Sequence, residues 1–266
     1  MEFTTTDGTR IHYEVSGPAS GTPVLLVHGH PFDRTLWDPQ ARALAAAGYR
    51  VVTPDLRGYG RSEVVPGTTA FEVFAGDLAE LLDHLGLERA VVGGVSMGGQ
   101  LTMEFHRLFP GRVLALVLAD TSPRPETEDG KAFRRALADR LVAEGMGGYA
   151  DEVIDKMITP AHVAALPEVA AHVMGMMRGT DPEGAAAALR GRAERTDHRP
   201  GLAAARVPVL VVVGEEDAYT PVADAEELHA LVPESVLVVI PGAGHLPGVE
   251  APEAFNAALL EFLAKV

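Results

Sequence analysis

Residues 90–99 read Ala90-Val91-Val92-Gly93-Gly94-Val95-Ser96-Met97-Gly98-Gly99, and Gln100 to Phe109 follow as a helix-like stretch. The apolar start fits a buried strand, so Gly94-Val95-Ser96-Met97-Gly98 is a Gly-x-Ser-x-Gly turn between strand and helix. A serine hydroxyl is a poor nucleophile unless it is exposed, aligned and next to a base. A tight strand-to-helix turn supplies the first two conditions, provided Gly94 and Gly98 carry no side chain to crowd it. It also sets Ser96 at a helix N-terminus, where free N–H groups favour developing negative charge.

The serine needs a base and a group to orient that base. His245 lies in Pro241-Gly242-Ala243-Gly244-His245-Leu246-Pro247, a loop that follows the apolar run Val236–Ile240. The ends of strands are where α/β sheets place their sites. The apolar run Val209–Val213 leads into Gly214-Glu215-Glu216-Asp217. Asp217 is the leading candidate for the orienting acid, with Glu215, Glu216 and Asp120 as alternatives. The catalytic set is then Ser96, Asp217 and His245. An oxyanion needs two waiting N–H donors: the Met97 main chain, and the His30 main chain in the loop His28-Gly29-His30-Pro31 after Val24–Val27. The His30 side chain either lines the pocket or turns aside. His28 and His30 do not read as a metal pair, because nearby carboxylates are sparse and no His-Glu-x-x-His exists.

Outward from this centre, strands alternate with helices, which implies parallel βαβ units. Strands are expected at Val24–Val27, Arg50–Thr53, Ala90–Gly93, Val113–Ala119, Val207–Val213 and Val236–Ile240. An N-terminal hairpin joins Glu2–Thr6 to Thr9–Val15. Helices are expected at Leu36–Ala47, Phe71–Leu85, Ala223–Leu231 and Pro252–Ala264. Thr121 to Pro200 breaks the rhythm, with no strand and four short helices near Gly130–Glu144, Tyr149–Met157, Pro160–Met177 and Pro182–Arg195. Five of the eight methionines fall there. They either fill packing gaps or give an adaptable apolar pocket wall, in which case Met146, Met174 and Met177 join His30 as substrate-pocket candidates. Trp37 reads as a core anchor, and Arg57 is expected to pair locally with Asp55.

The formal net charge of −15 over 266 residues argues against binding nucleic acid or an anionic membrane surface. With no cysteine there is no disulfide, thiolate metal site or thiol nucleophile. No secretory leader is visible at the N-terminus, so the expected location is cytoplasmic, as a monomer or homodimer.

Together, His28-Gly29-His30-Pro31 with Trp37, Asp55-Leu56-Arg57-Gly58-Tyr59-Gly60-Arg61-Ser62, the Ser96 turn, and the Asp217 and His245 loops resemble the α/β-hydrolase-fold enzymes. The resemblance runs from about Val24 to the C-terminus, apart from the irregular stretch. It is nearest to small bacterial esterases and enol-lactonases, and more distant to haloperoxidase-like perhydrolases. It implies an eight-stranded, mostly parallel sheet flanked by helices, with a helical cap inserted after the sixth strand and no cofactor. The core would be 1–120 and 201–266, and the cap 121–200. Dehalogenase and epoxide hydrolase relatives use Asp where Ser96 stands, which argues against both. Many relatives carry an apolar residue at the His30 position. The expected activity is hydrolysis of a small ester or lactone. The alternatives are a C–C bond hydrolase or lyase on the same residues, and a ligand-binding receptor with weak turnover.

Overall fold

A computed structural model describes residues 1–266. The short apolar runs become one eight-stranded sheet. Its strands are β1 (Glu2–Thr4), β2 (Arg10–Ser16), β3 (Pro23–Val27), β4 (Arg50–Pro54), β5 (Ala90–Val95), β6 (Val113–Ala119), β7 (Val209–Gly214) and β8 (Val236–Ile240). Their order is β1-β2-β4-β3-β5-β6-β7-β8. β2 runs antiparallel to β1 and β4, and every other neighbouring pair is parallel. β3, β5, β6 and β7 are apolar along their length because both faces are covered. Side chains alternate between two clusters. Val92 and Leu116 face one, with helices α2 (Phe71–His84) and α3 (Met97–Leu108). Val91 and Val117 face the other, with α1 (Asp38–Ala46) and α12 (Pro252–Leu263). β8 departs from the expectation of a buried run. It is an edge strand, and Val236 and Val239 are 40% and 37% exposed.

Between β6 and β7 the chain makes six helices: α4 (Glu128–Glu144), α5 (Gly147–Met157), α6 (Pro160–Ala165), α7 (Pro167–Gly179), α8 (Pro182–Ala193) and α9 (Arg199–Ala203). The single helix expected over Pro160–Met177 is two. Pro167 cannot donate to a preceding turn, and Leu166 before it leaves the helical region at φ −122°, ψ 63°. Thr159 and Asp181 cap α6 and α8 with their side chains. This insertion is lodged on the sheet domain. A Cβ on Gly184 of α8 would sit 2.0 Å from the carbonyl oxygen of Gly58. Met157, Ile158, Met176 and Met177 share a cluster with Val117 and Val212.

The helices α10 (Val222–Leu231) and α11 (Pro247–Glu250) complete the fold. Trp37 is buried and its ring lies 6.0 Å from that of Phe255. Arg57 does not pair with Asp55. It bonds Asp77 at 2.9 and 2.7 Å and reaches Asp7 at 2.8 Å. Asp55 instead accepts the main-chain N–H groups of Arg34 and Arg61, which pins the loop after β4. No helix is long and apolar enough to cross a membrane.

Candidate active site

Ser96 joins the end of β5, the central strand, to the start of α3. Its backbone is forced to φ 56°, ψ −118°, a conformation that costs on the order of 1–3 kcal/mol for a residue with a side chain. Close approach explains the glycines: a Cβ on Gly98 would lie 2.2 Å from the Val27 carbonyl oxygen. The first turn of α3 is thereby pressed against the end of β3. Two bonds hold the turn: Ser96 N–H donates to Ala119 O at 3.0 Å, and Thr121 Oγ1 donates to Ser96 O at 2.8 Å.

Three loops at the C-terminal ends of strands then meet. His245 Nε2 lies 2.8 Å from Ser96 Oγ, and His245 Nδ1 lies 2.8 Å from Asp217 Oδ2. Asp217 also accepts from the Tyr219 and Thr220 main chains and from Thr220 Oγ1. Burial raises the Asp217 carboxyl, but His245 and these hydrogen bonds outweigh it and hold the group below the usual carboxylate value. Asp217 is therefore charged at neutral pH and aimed at Nδ1. The Tyr219 ring stands edge-on to His245 at 5.1 Å.

Asp120, the alternative acid, sits against this pair without bonding the histidine. It is buried at the end of β6 with φ 45°, and its Oδ1 accepts the Gly214 N–H at 2.8 Å. Its Oδ2 has no partner. Burial, and then the charge of Asp217, push its carboxyl well above the ordinary value and favour the protonated form. Glu215 bonds the Gly242 N–H, away from His245.

His30 and Met97 flank Ser96 on the other side. His30 belongs to no helix or strand, and its main-chain N–H makes none of the loop hydrogen bonds. Met97 opens α3, where N–H groups have no partner one turn back. The His30 side chain faces the site. Nδ1 is 2.8 Å from the Tyr59 hydroxyl, the only polar partner of that hydroxyl. The buried hydroxyl donates to Nδ1, which leaves the ring proton on Nε2, a buried atom with no partner. Burial and the charge of Arg192 hold His30 well below its ordinary value, so it is neutral. His28 spends both ring nitrogens internally, on Gly29 O and the Leu56 N–H, and is not free to ligate a metal.

Glu250, which carries no motif, brackets the base. Its Oε1 accepts the N–H groups on either side of His245, from Gly244 at 2.8 Å and Leu246 at 3.3 Å. Its Oε2 accepts the Thr159 N–H and lies 2.8 Å from His162 Nδ1, at the start of α6. The side chain is fully buried. Two of its partners are local, but the two that tie it to the insertion are 88 and 91 residues away, beyond any local pattern.

Above Ser96 and His245 opens a cavity of about 560 Å³ between the sheet domain and the insertion. Met146, Met174 and Met177 do not line it. Met146 packs between α4 and α8, while Met174 and Met177 pack on the sheet-side cluster. Met157 is the one methionine of the wall, which is mostly polar and includes Gln100, Tyr149, Arg192 and Tyr219. Met146, Met174 and Met177 fill packing gaps, and Arg134 and Arg140 of α4 with Arg192 of α8 make the wall charged instead of apolar.

The sequence model of the alpha/beta hydrolase family matches residues 24–258. Among solved structures, the chain is similar to a thermophilic esterase from Thermogutta terrifontis with malate bound. The two are 42% identical with a TM-score of 0.95, over 100% of this chain and 98% of that one. It is also similar to an enol-lactonase from Burkholderia xenovorans, at 28% identity and a TM-score of 0.92 over 99% and 100% of the two chains. A non-heme chloroperoxidase from Streptomyces lividans is 32% identical over 279 residues, with 98% of each chain covered.

Proposed function

This chain belongs to the alpha/beta hydrolase family, and from that premise we propose that it is a cofactor-independent serine hydrolase of small carboxylic esters or lactones. The observation that carries the reading is the relay from Ser96 Oγ through His245 to Asp217, with two contacts of 2.8 Å. The likeness to an esterase and an enol-lactonase supports ester bonds as the target.

Ser96 Oγ attacks the substrate carbonyl carbon as His245 Nε2 takes the hydroxyl proton. Asp217 keeps the other imidazole proton on Nδ1 and stabilises the imidazolium. The carbonyl oxygen, now an oxyanion, accepts from the main-chain N–H groups of Met97 and His30; one such donor is typically worth about 3 kcal/mol. His245 returns its proton to the alcohol, which leaves, and Ser96 carries the acyl group. Water, deprotonated by His245, attacks the acyl carbon. The acid departs and Ser96 regains its proton. The Nε2–H of His30 adds a donor on the pocket wall for a second oxygen of the substrate.

The test is purified wild type beside Ser96→Ala on p-nitrophenyl acetate, butyrate and octanoate, a γ-lactone and an enol-lactone. Wild type is expected to turn over the short members, with loss of about 10⁶-fold in the variant. Retained hydrolysis in Ser96→Ala, or a folded wild type inert on every member, overturns the reading.

A further inference from the structure

Five arginines line the cavity over Ser96: Arg124, Arg134, Arg140, Arg192 and Arg195. Four are matched to carboxylates. Arg124 pairs with Asp224 and Glu227, Arg140 with Glu152, and Arg134 and Arg195 share Glu126. Arg192 has no carboxylate. Its one protein partner is neutral: Nε donates to Gln100 Oε1 at 2.9 Å. Glu126, the acid whose charge reaches it, is already held between the guanidinium groups of Arg134 and Arg195. Burial, together with Arg134 and Arg195, disfavours the protonated form of Arg192. An uncompensated guanidinium in such a place is expensive unless a ligand supplies the anion.

Its position relates it to the chemistry. Gln100 lies on α3 four residues after Ser96, and its N–H donates to the Ser96 carbonyl. Gln100 therefore ties the guanidinium to the nucleophile's own helix, at a residue about 6 Å along the axis from Ser96. The charge of Arg192 is felt at His30, Tyr149 and Tyr219, all on the cavity wall. The remaining N–H donors of a guanidinium form a planar fork that matches a carboxylate.

We propose that Arg192 anchors a carboxylate carried by the substrate, so that the site prefers esters or lactones with an acidic group a few carbon atoms from the reacting carbonyl. This rests on the ester-hydrolase reading above and narrows it to anionic substrates. A chain with a formal charge of −15 repels such substrates in general, which makes an unmatched guanidinium in the wall of the cavity over Ser96 the more telling.

The experiment compares kcat/KM for p-nitrophenyl hemisuccinate and for the uncharged p-nitrophenyl butyrate, which has the same acyl length. Wild type, Arg192→Gln and Arg192→Lys are measured, with circular dichroism melts to establish folding. The anionic-to-neutral ratio is expected to fall about ten- to a hundredfold in Arg192→Gln, mainly through KM, and less in Arg192→Lys. A ratio unchanged in both variants, or an equal loss on both esters, overturns the proposal. Calorimetric binding of succinate to wild type and Arg192→Gln gives a reading independent of turnover. At least tenfold weaker binding in the variant supports the anchor, and equal binding sinks it. Wild type inert on both esters yet binding succinate through Arg192 would instead remove the ester-hydrolase reading.

Discussion

At the scale of single residues, the paired carboxyls below His245 have opposite fates. Asp217 is drawn below the ordinary carboxyl value and Asp120 pushed well above it. Asn at position 120 can still accept from the Gly214 N–H, can offer an N–H toward Asp217, and tolerates a positive φ. Asp120→Asn is therefore expected to keep most of its activity. Its effect on stability has a definite sign. Native Asp120 keeps a proton that the unfolded chain releases above about pH 4, so this group lowers stability as pH rises from there. The melting temperature of Asp120→Asn should equal that of wild type near pH 4 and exceed it as pH rises above that. An advantage that shrinks toward neutrality would contradict the assignment. Asp217 behaves in the reverse sense: its contribution is present above about pH 4 and is lost as pH falls through its depressed folded value. Ser96, Asp217 and His245 could be picked from the sequence because each follows a strand in a loop of glycine, proline or acid. Arg192, Gln100 and Glu250 could not. Each sits in an unremarkable helical stretch and gains meaning only from what another segment brings to it.

At the scale of elements, glycines of α7 and α8 give opposite expectations. Gly184 lies on the Gly58 backbone, whereas a Cβ on Gly175 would meet nothing within 4 Å. Gly184→Ala forces α8 off the loop after β4 and should lower the melting temperature by about 5 °C or more. Gly175→Ala, in a helix interior with open space, should raise stability by about 0.5–1 kcal/mol. Equal effects would mean that α8 does not pack as described. The loop carrying His245 depends on Glu250 in the same local way. Glu250→Gln keeps the volume but cannot accept at all four bonds, one of its ends now being a donor. Its kcat should fall about tenfold or more with KM little changed, as measured on any ester the wild type hydrolyses. Strand and helix periodicity made these elements legible along the sheet. The half-exposed face of β8 was not, since it needs to know which strand is last in the sheet, whereas Pro167 itself marks the split that a single helix over Pro160–Met177 overlooks.

At the scale of the molecule, the inserted helices share buried clusters with the sheet, beyond the small cluster they keep to themselves between α4 and α8. Met157, Ile158, Met176 and Met177 pack with strand residues of one face, and Ala188 and Leu202 with those of the other. Unfolding should therefore be a single transition. The fluorescence of Trp37, the one tryptophan and a sheet-side residue, should change at the same denaturant concentration as helical circular dichroism at 222 nm. Loss of helix before any change in Trp37 would indicate an independent cap. The succession of strands along the chain and the break at Thr121–Pro200 followed from the alternation of apolar runs; the order of the strands in the sheet and the charged lining of the cavity did not. One carboxylate, finally, belongs to both halves. Glu250 grips the backbone on either side of His245 with one oxygen and the start of α6 with the other. The placement of His245 and the seating of α6 thus hang on the same buried side chain, and neither can shift without disturbing the hydrogen bonds of the other.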